Sequence, residues 1–329
     1  MIKRILAINF GGLGDEILFL PTLISLKKEF PNAKITLALE PRSKSIQQLT
    51  NVIDDIITVD IKHKNKYIEL FTLITKAIFG DFQMVVASGA HPMMSVIEAM
   101  TFIPKRYGYD TGKLSKILLT KAIPLNKNQY AGKMYHDLIS EITEHFTELP
   151  QIDSEKVSKI PNSILIHPGV SLISKEKGCI KSITSQEWAE LIDLLAQKGK
   201  RIFLAGGPDD KQCIEEIIQY SKTKNFENLY GKTRDLKDLV KLISSAEKFV
   251  CSDSAPLHIA VALKTKTYAF FGPTDDKKLI PQNEFVTALK TNDNCELKPC
   301  LWEKRMTSCE SLSCLKYDLT QIADFICDN

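Results

Sequence analysis

No apolar run in this 329-residue chain is long enough to cross a membrane, because charges interrupt each one well before about 18 residues. The opening Met1-Ile2-Lys3-Arg4-Ile5 lacks the long apolar region and cleavage site of a secretory signal, so the cytoplasm is the expected compartment. A net charge of +3 is too small to imply a nucleic-acid partner. There is no low-complexity tract, no short-period repeat, and no carboxylate cluster of the kind that holds a catalytic metal. Two nucleotide signatures are also missing. Gly12-Leu13-Gly14 begins a dinucleotide fingerprint, but Ile17 stands where the third glycine belongs, and no Lys-Ser or Lys-Thr follows to make a P-loop. With that fingerprint broken, Glu40 reads as a strand-end surface residue rather than a ribose-binding acid.

What is present is alternation. Apolar strand patterns at 2–9, 34–39, 55–59 and 84–87 are separated by amphipathic helical patterns at 16–30, 44–50, 67–79 and 93–101, with a further helix expected at 134–146. A polar stretch at 149–162 containing Pro150 and Pro161 reads as a linker. A second series follows, with strands at 163–167, 201–205, 248–251 and 267–271 and helices at 186–197, 210–223, 236–245 and 256–263. The pattern predicts an α/β protein of two doubly wound, Rossmann-like domains, 1–150 and 151–329, facing each other across a cleft. Such an arrangement suits an enzyme that joins two substrates.

The chemistry-bearing segments fall where these strands end. Gly11-Gly12-Leu13-Gly14-Asp15 follows the first strand and delivers a carboxylate to the mouth of a helix. Asp15 reads either as a general base or as a helix cap. In the second half, His167-Pro168-Gly169-Val170-Ser171 leads into a loop carrying Lys175, Lys177 and Lys181; Gly206-Gly207 ends the next strand; and Asp253-Ser254-Ala255-Pro256-Leu257-His258 opens a helix. Small residues, a helix N-terminus and a lysine together suit a diphosphate. Asp253-Ser254 also reads as a plain cap, and His258 as a core histidine.

Taken in order, Gly11-Gly12-Leu13-Gly14-Asp15 with Leu20-Pro21, His167-Pro168-Gly169, Gly206-Gly207, Asp253 to His258, and Phe271-Gly272-Pro273-Thr274 resemble glycosyltransferase family 9, the ADP-heptose:lipopolysaccharide heptosyltransferases. The resemblance runs through nearly the whole chain. It implies the GT-B fold, inversion at the anomeric carbon without a metal or other cofactor, an acceptor held by the first domain, and a nucleotide sugar held by the second. It further implies that Asp15 is the base, that Lys181 faces the donor diphosphate, that Asp253 contacts the donor sugar, and that Ser171, Ser254, Ala255, Pro256, Leu257 and His258 belong to the donor site. Ala255 stands where the family usually has glycine. The loop before Lys181 is longer than usual, so Lys175 and Lys177 are alternatives for the lysine. A lipid-linked or polysaccharide acceptor and peripheral contact with the inner membrane are the expected partners. The alternatives are a nucleotide-sugar epimerase and a non-catalytic sugar-nucleotide-binding protein.

Two features stand outside this set. Seven basic residues between Ile103 and Lys133, against Asp110 alone, read either as a solvated surface or as a face for phosphates or anionic lipid. Cys295, Cys300, Cys309 and Cys314 are spaced C-x4-C-x8-C-x4-C, wider than zinc-binding CxxC pairs, and read either as a structural zinc or iron–sulfur site or, in preference, as a reduced, partly buried loop. The final helix, which carries Cys327, is expected to pack back toward the first domain.

Overall fold

The computed structural model describes residues 2–62, 65–147, 149–170, 179–291, 293, 295–300 and 309–329. It contains two compact units, Met1–Asp153 and Ser154–Asn329.

In the first unit, six parallel strands lie in the order β3-β2-β1-β4-β5-β6, namely Asp55–Thr58, Lys34–Leu39, Arg4–Ile8, Met84–Ala87, Lys105–Tyr109 and Lys121–Ile123. Ile5 to Ile8 are wholly buried because β1 lies at the centre with helices on both faces, so an unbroken apolar run rather than an alternating one is required. Helix α1 (Leu13–Glu29) packs with α5 (Ala131–His136) and with the 3-10 turn Pro41–Gln48. Helices α2 (Lys66–Phe79) and α3 (Met93–Met100) cover a core built on Leu6, Ile8, Val85 and Ala87, and α4 (Lys113–Leu118) lies beside α3.

The second unit repeats the design, in the order β12-β11-β10-β7-β8-β9: Val286–Leu289, Lys266–Phe270, Ala246–Ser252, Ile160–His167, Arg201–Leu204 and Phe226–Asn228. Helices α6 (Ser185–Gln197), α7 (Lys211–Tyr220), α8 (Leu236–Ser245), α9 (Ala255–Ala262), α10 (Asp276–Leu279) and α11 (Leu319–Asp328) surround the sheet. Thr184 and Glu187 form a reciprocal capping box that starts α6. Leu319, Ala323 and Ile326 of α11 enter this unit's core, where α11 packs on α6, and Lys248 Nζ donates to the carbonyls of Ile326 and Cys327.

Each sheet reverses direction once, between β1 and β4 in the first unit and between β7 and β10 in the second. Loops leaving the carboxyl ends of strands at such a reversal splay apart, which is where open α/β sheets hold ligands. Gly11 to Asp15 follow β1, His167 to Gly169 end β7 and Asp253 to His258 follow β10, so these three motifs lie at the two reversal points.

Several elements differ from expectation. The basic segment holds β5, α4 and β6, so part of its charge flanks strands. The helix expected over 134–146 stops early: α5 ends at His136 and a single 3-10 turn follows, Asp137–Ile139. The chain then folds back, bringing the Phe146 ring 4.7 Å from the His136 ring at a tilt of 56° and placing the His145 carbonyl 2.9 Å from His136 Nε2. Among the described residues no helix is long and apolar enough to cross a membrane.

Candidate active site

At the first reversal point, Gly12 caps α1 and Asp15 occupies the helix's third position. The Gly12 N–H donates to Asp15 Oδ2 at 2.8 Å, so half of the carboxylate does act as a cap. The other oxygen, Oδ1, lies 3.5 Å from the Tyr135 hydroxyl, which α5 brings across from 120 residues away. Burial, reinforced by the Asp15 charge, drives the Tyr135 phenol well above its usual pKa, so it remains a donor. Phe19 meets the Tyr135 ring edge-on at 5.6 Å and fixes its orientation. Gly11 must be glycine because a Cβ there would lie 2.3 Å from the Asp15 Cβ. Gly14 follows within the first turn of α1.

Polar side chains tie this turn to its neighbours. Asn9 Nδ2 donates to the Asp15 carbonyl at 3.3 Å, Ser88 after β4 donates to Asn9 Oδ1 at 3.0 Å, and Ser43 donates to the Gly11 carbonyl at 3.1 Å. Glu40 is buried rather than on the surface: it pairs with Arg42 at 2.5 Å and Lys62 at 3.1 Å, two cations that arrive from the following turn and from beyond β3. Glu16 is also buried, and desolvation, with repulsion from Asp15 and Glu40, holds its carboxyl well above the usual range. Tyr135, Arg42, Asn9 and Ser88 carried no local signal in the sequence.

At the second reversal point, the loop after β7 and the end of β10 are hydrogen-bonded together. Ser252 donates to the Pro168 carbonyl at 2.8 Å and lies 2.8 Å from Ser182 Oγ, which in turn accepts from the buried Trp188 Nε1–H at 2.9 Å. This arrangement fixes Lys181, whose Nζ stands 3.2 Å from Oδ2 of the buried Asp253. Ser254 occupies the N-cap position of α9 but does not cap it; its hydroxyl turns back to the Ser252 carbonyl at 3.4 Å. Pro256, Leu257 and His258 are buried within α9, and the Leu257 N–H is already donated to the Ser254 carbonyl. The surface of the motif is therefore Ser254 and Ala255.

Gly206 and Gly207 form the neighbouring turn, where the Gly207 N–H donates to Asp210 Oδ2 at 2.9 Å. A Cβ at Gly169 would lie 2.1 Å from that same carboxylate. Burial lowers the His167 pKa, with Asp210 opposing the shift. Ser171, Lys175 and Lys177 lie outside the described residues.

Cys295, Cys300, Cys309 and Cys314 all line one cavity of about 30 Å³, together with Ile180, Pro273, Leu297 and Leu312. Burial raises the Cys300 and Cys314 thiols, whereas hydrogen bonds from Ser311 and Leu312 lower Cys309. Among the described residues no three His, Cys, Asp or Glu side chains stand together as a ligand set.

Comparison with known proteins supplies the family and the fold. The chain is 27% identical over 277 residues to lipopolysaccharide heptosyltransferase 3 of Escherichia coli, covering 80% of each protein. The fold matches that of a family 9 glycosyltransferase from Veillonella parvula with a TM-score of 0.75 at 20% identity, over 98% of this chain and 95% of that one. It matches the E. coli ADP-heptose lipopolysaccharide heptosyltransferase II with a TM-score of 0.71 at 19% identity, over 90% and 95%. The fold class is therefore GT-B, as the sequence implied. The model of glycosyltransferase family 9 (heptosyltransferase) matches residues 74–308, and the chain belongs to that family of enzymes.

Proposed function

We propose that this glycosyltransferase moves a heptose-like sugar from an ADP-sugar to a lipopolysaccharide-core or related surface-glycan acceptor, with inversion and without a metal or other cofactor. The functions of the relatives support the donor and acceptor classes. The acceptor is lipid-linked, so the protein works in the cytoplasm, at the inner face of the membrane. The first unit takes the acceptor and the second takes the donor.

The observation that carries this reading is the division of labour within Asp15. One oxygen is committed to the Gly12 N–H and holds the side chain still, while the other lies beside the Tyr135 hydroxyl and makes no bond within its own turn. In the reaction, Oδ1 takes the proton of an acceptor hydroxyl as that oxygen attacks the anomeric carbon from the face opposite the diphosphate. The bond from that carbon to the diphosphate oxygen breaks, and the nucleoside diphosphate leaves with the electron pair. The Lys181 ammonium, the Ser254 hydroxyl and the N-terminus of α9 supply positive potential to the leaving group.

Asp15→Asn tests the base directly. Asparagine retains an acceptor for the Gly12 N–H, so the helix start is kept. ADP-sugar affinity should be nearly unchanged while turnover falls by roughly 10²-fold or more. Near-normal turnover would reduce Asp15 to a cap, and consumption of ADP-sugar without any acceptor would favour an epimerase.

A further inference from the structure

Helix α2 is apolar on two sides. Leu73, Ile74 and Ala77 face the sheet, yet Tyr67, Phe71 and Phe79 are 72%, 67% and 84% exposed. The step from 67 to 71, and the turns that follow, place these rings along one stripe. The surface continues onto the adjoining elements, where Phe102 after α3 is 79% exposed and Ile117 of α4 is 77% exposed. Of the fifteen large hydrophobic side chains exposed among the described residues, ten fall between Tyr67 and Ile117. Scattered apolar side chains are ordinary on a surface; a concentration of this size marks an interaction face.

The charges among these rings identify the partner. Lys66, Lys76, Lys105 and Lys113 are exposed and have no carboxylate partner among the described residues. The four acids of the segment are engaged elsewhere: Asp110 pairs with Lys116 at 3.1 Å, Glu69 accepts from the Asp60 N–H at 3.4 Å, Asp81 accepts from Gln83, and Glu98 is buried. A second copy of this chain would set lysine against lysine. Aromatic and aliphatic side chains interleaved with ammonium groups fit an anionic lipid surface, where the rings enter the headgroup layer and the lysines meet phosphates.

We propose that the face formed by α2, α3 and α4 docks the protein on an anionic bilayer. This deepens the reading of a lipid-linked acceptor, because all three helices begin at the sheet edge that carries Asp15. A bilayer under this face would present a lipid-borne sugar to that edge.

Vesicle co-sedimentation tests the proposal with the full chain. Vesicles of phosphatidylcholine mixed with phosphatidylglycerol should bind the protein, and phosphatidylcholine alone should bind it far less. Phe71→Ser combined with Phe79→Ser should weaken binding roughly a hundredfold. Lys66→Gln combined with Lys113→Gln should abolish the preference for the anionic lipid. Both pairs lie on the surface, so circular dichroism and ADP affinity should remain those of the parent, and failure of the catalytic reading would leave vesicle binding intact. Equal binding to neutral vesicles, or none to either, would overturn the proposal. So would a concentration-dependent dimer in ultracentrifugation that the two phenylalanine changes dissolve.

Discussion

Lys181 holds the buried carboxylate of Asp253 at 3.2 Å, joining the loop after β7 to the turn after β10. The pairing resolves a conflict in the sequence, which places an aspartate beside a turn suited to phosphate. With the ammonium against it, that turn does not present a bare negative charge to a diphosphate.

Lys181→Met should therefore have two effects. ADP binding should weaken by about 1.5–3 kcal/mol, the loss of one charge-assisted contact, readable by calorimetry. Thermal stability should also fall, because Asp253 is left buried without its cation. Adding Asp253→Asn should recover the stability and leave the affinity low. Unchanged affinity in Lys181→Met, with a large loss in Lys175→Ala or Lys177→Ala, would move the diphosphate contact to another lysine of that loop.

In the proposed mechanism Tyr135 acts through Asp15 rather than on a substrate, so Tyr135→Phe should separate kcat from KM. Removing the hydroxyl frees Oδ1 to leave its orientation, and kcat should drop by about tenfold, the worth of one hydrogen bond. The donor KM and the melting temperature should hardly change, since the ring that packs on Phe19 remains. An unaltered kcat would show that Gly12 alone suffices to hold the carboxylate.

Glu98 makes stability depend on pH. It is wholly buried on α3, neither of its oxygens has a hydrogen-bond partner among the described residues, and burial raises its pKa well above 4.5 despite the pull of Arg106. The folded protein thus keeps a proton that the unfolded chain releases, and stability falls as pH rises from about 4.5 toward the raised folded value. Glu98→Gln should flatten this slope and raise the melting temperature at neutral pH, by about 2–4 °C for each kcal/mol recovered. Glu16, shifted in the same direction, should leave a residual slope. Equal melting temperatures for parent and variant across the whole range would show that Glu98 is not held protonated.

Transfer should persist in EDTA, because Lys181, Ser254 and the α9 terminus are the groups assigned to the leaving diphosphate. Elemental analysis of the purified protein should find no stoichiometric metal at the cysteine-lined cavity. One zinc or iron per chain would overturn the reading of Cys295, Cys300, Cys309 and Cys314 as free thiols. Loss of transfer in EDTA, restored by magnesium, would overturn metal-independent catalysis.

The central strands were legible because burial on both faces demands unbroken apolar runs such as Ile5-Leu6-Ala7-Ile8 and Ile164-Leu165-Ile166. Strands at or next to a sheet edge escape that demand. Lys105-Arg106-Tyr107-Gly108-Tyr109 and Phe226-Glu227-Asn228 are partly solvated, and their lysine, arginine and glutamate hide the strand pattern. Within the site, Asp15, Lys181 and the Asp253 turn stood out because each lies in a local motif. Tyr135 and Arg42 did not, since their part depends on which helix packs beside which loop. Glu40 was misjudged for the same reason: its burial is made tolerable by Arg42 and Lys62, and a strand end viewed alone does not reveal its cations.

The hydrogen bond from Trp188 to Ser182 has an optical consequence. The indole is fully buried, touches the residue next to Lys181, and meets Phe270 edge-on at 5.0 Å. The sequence holds one other tryptophan, Trp302, so replacing that residue with phenylalanine leaves a single emitter bonded to the loop that carries Lys181. A ligand that pulls Lys181 away from Asp253 should tug on Ser182 and alter the polarity sensed by the indole. The protein thus carries a native fluorophore seated against the Lys181–Asp253 pair, with no label attached.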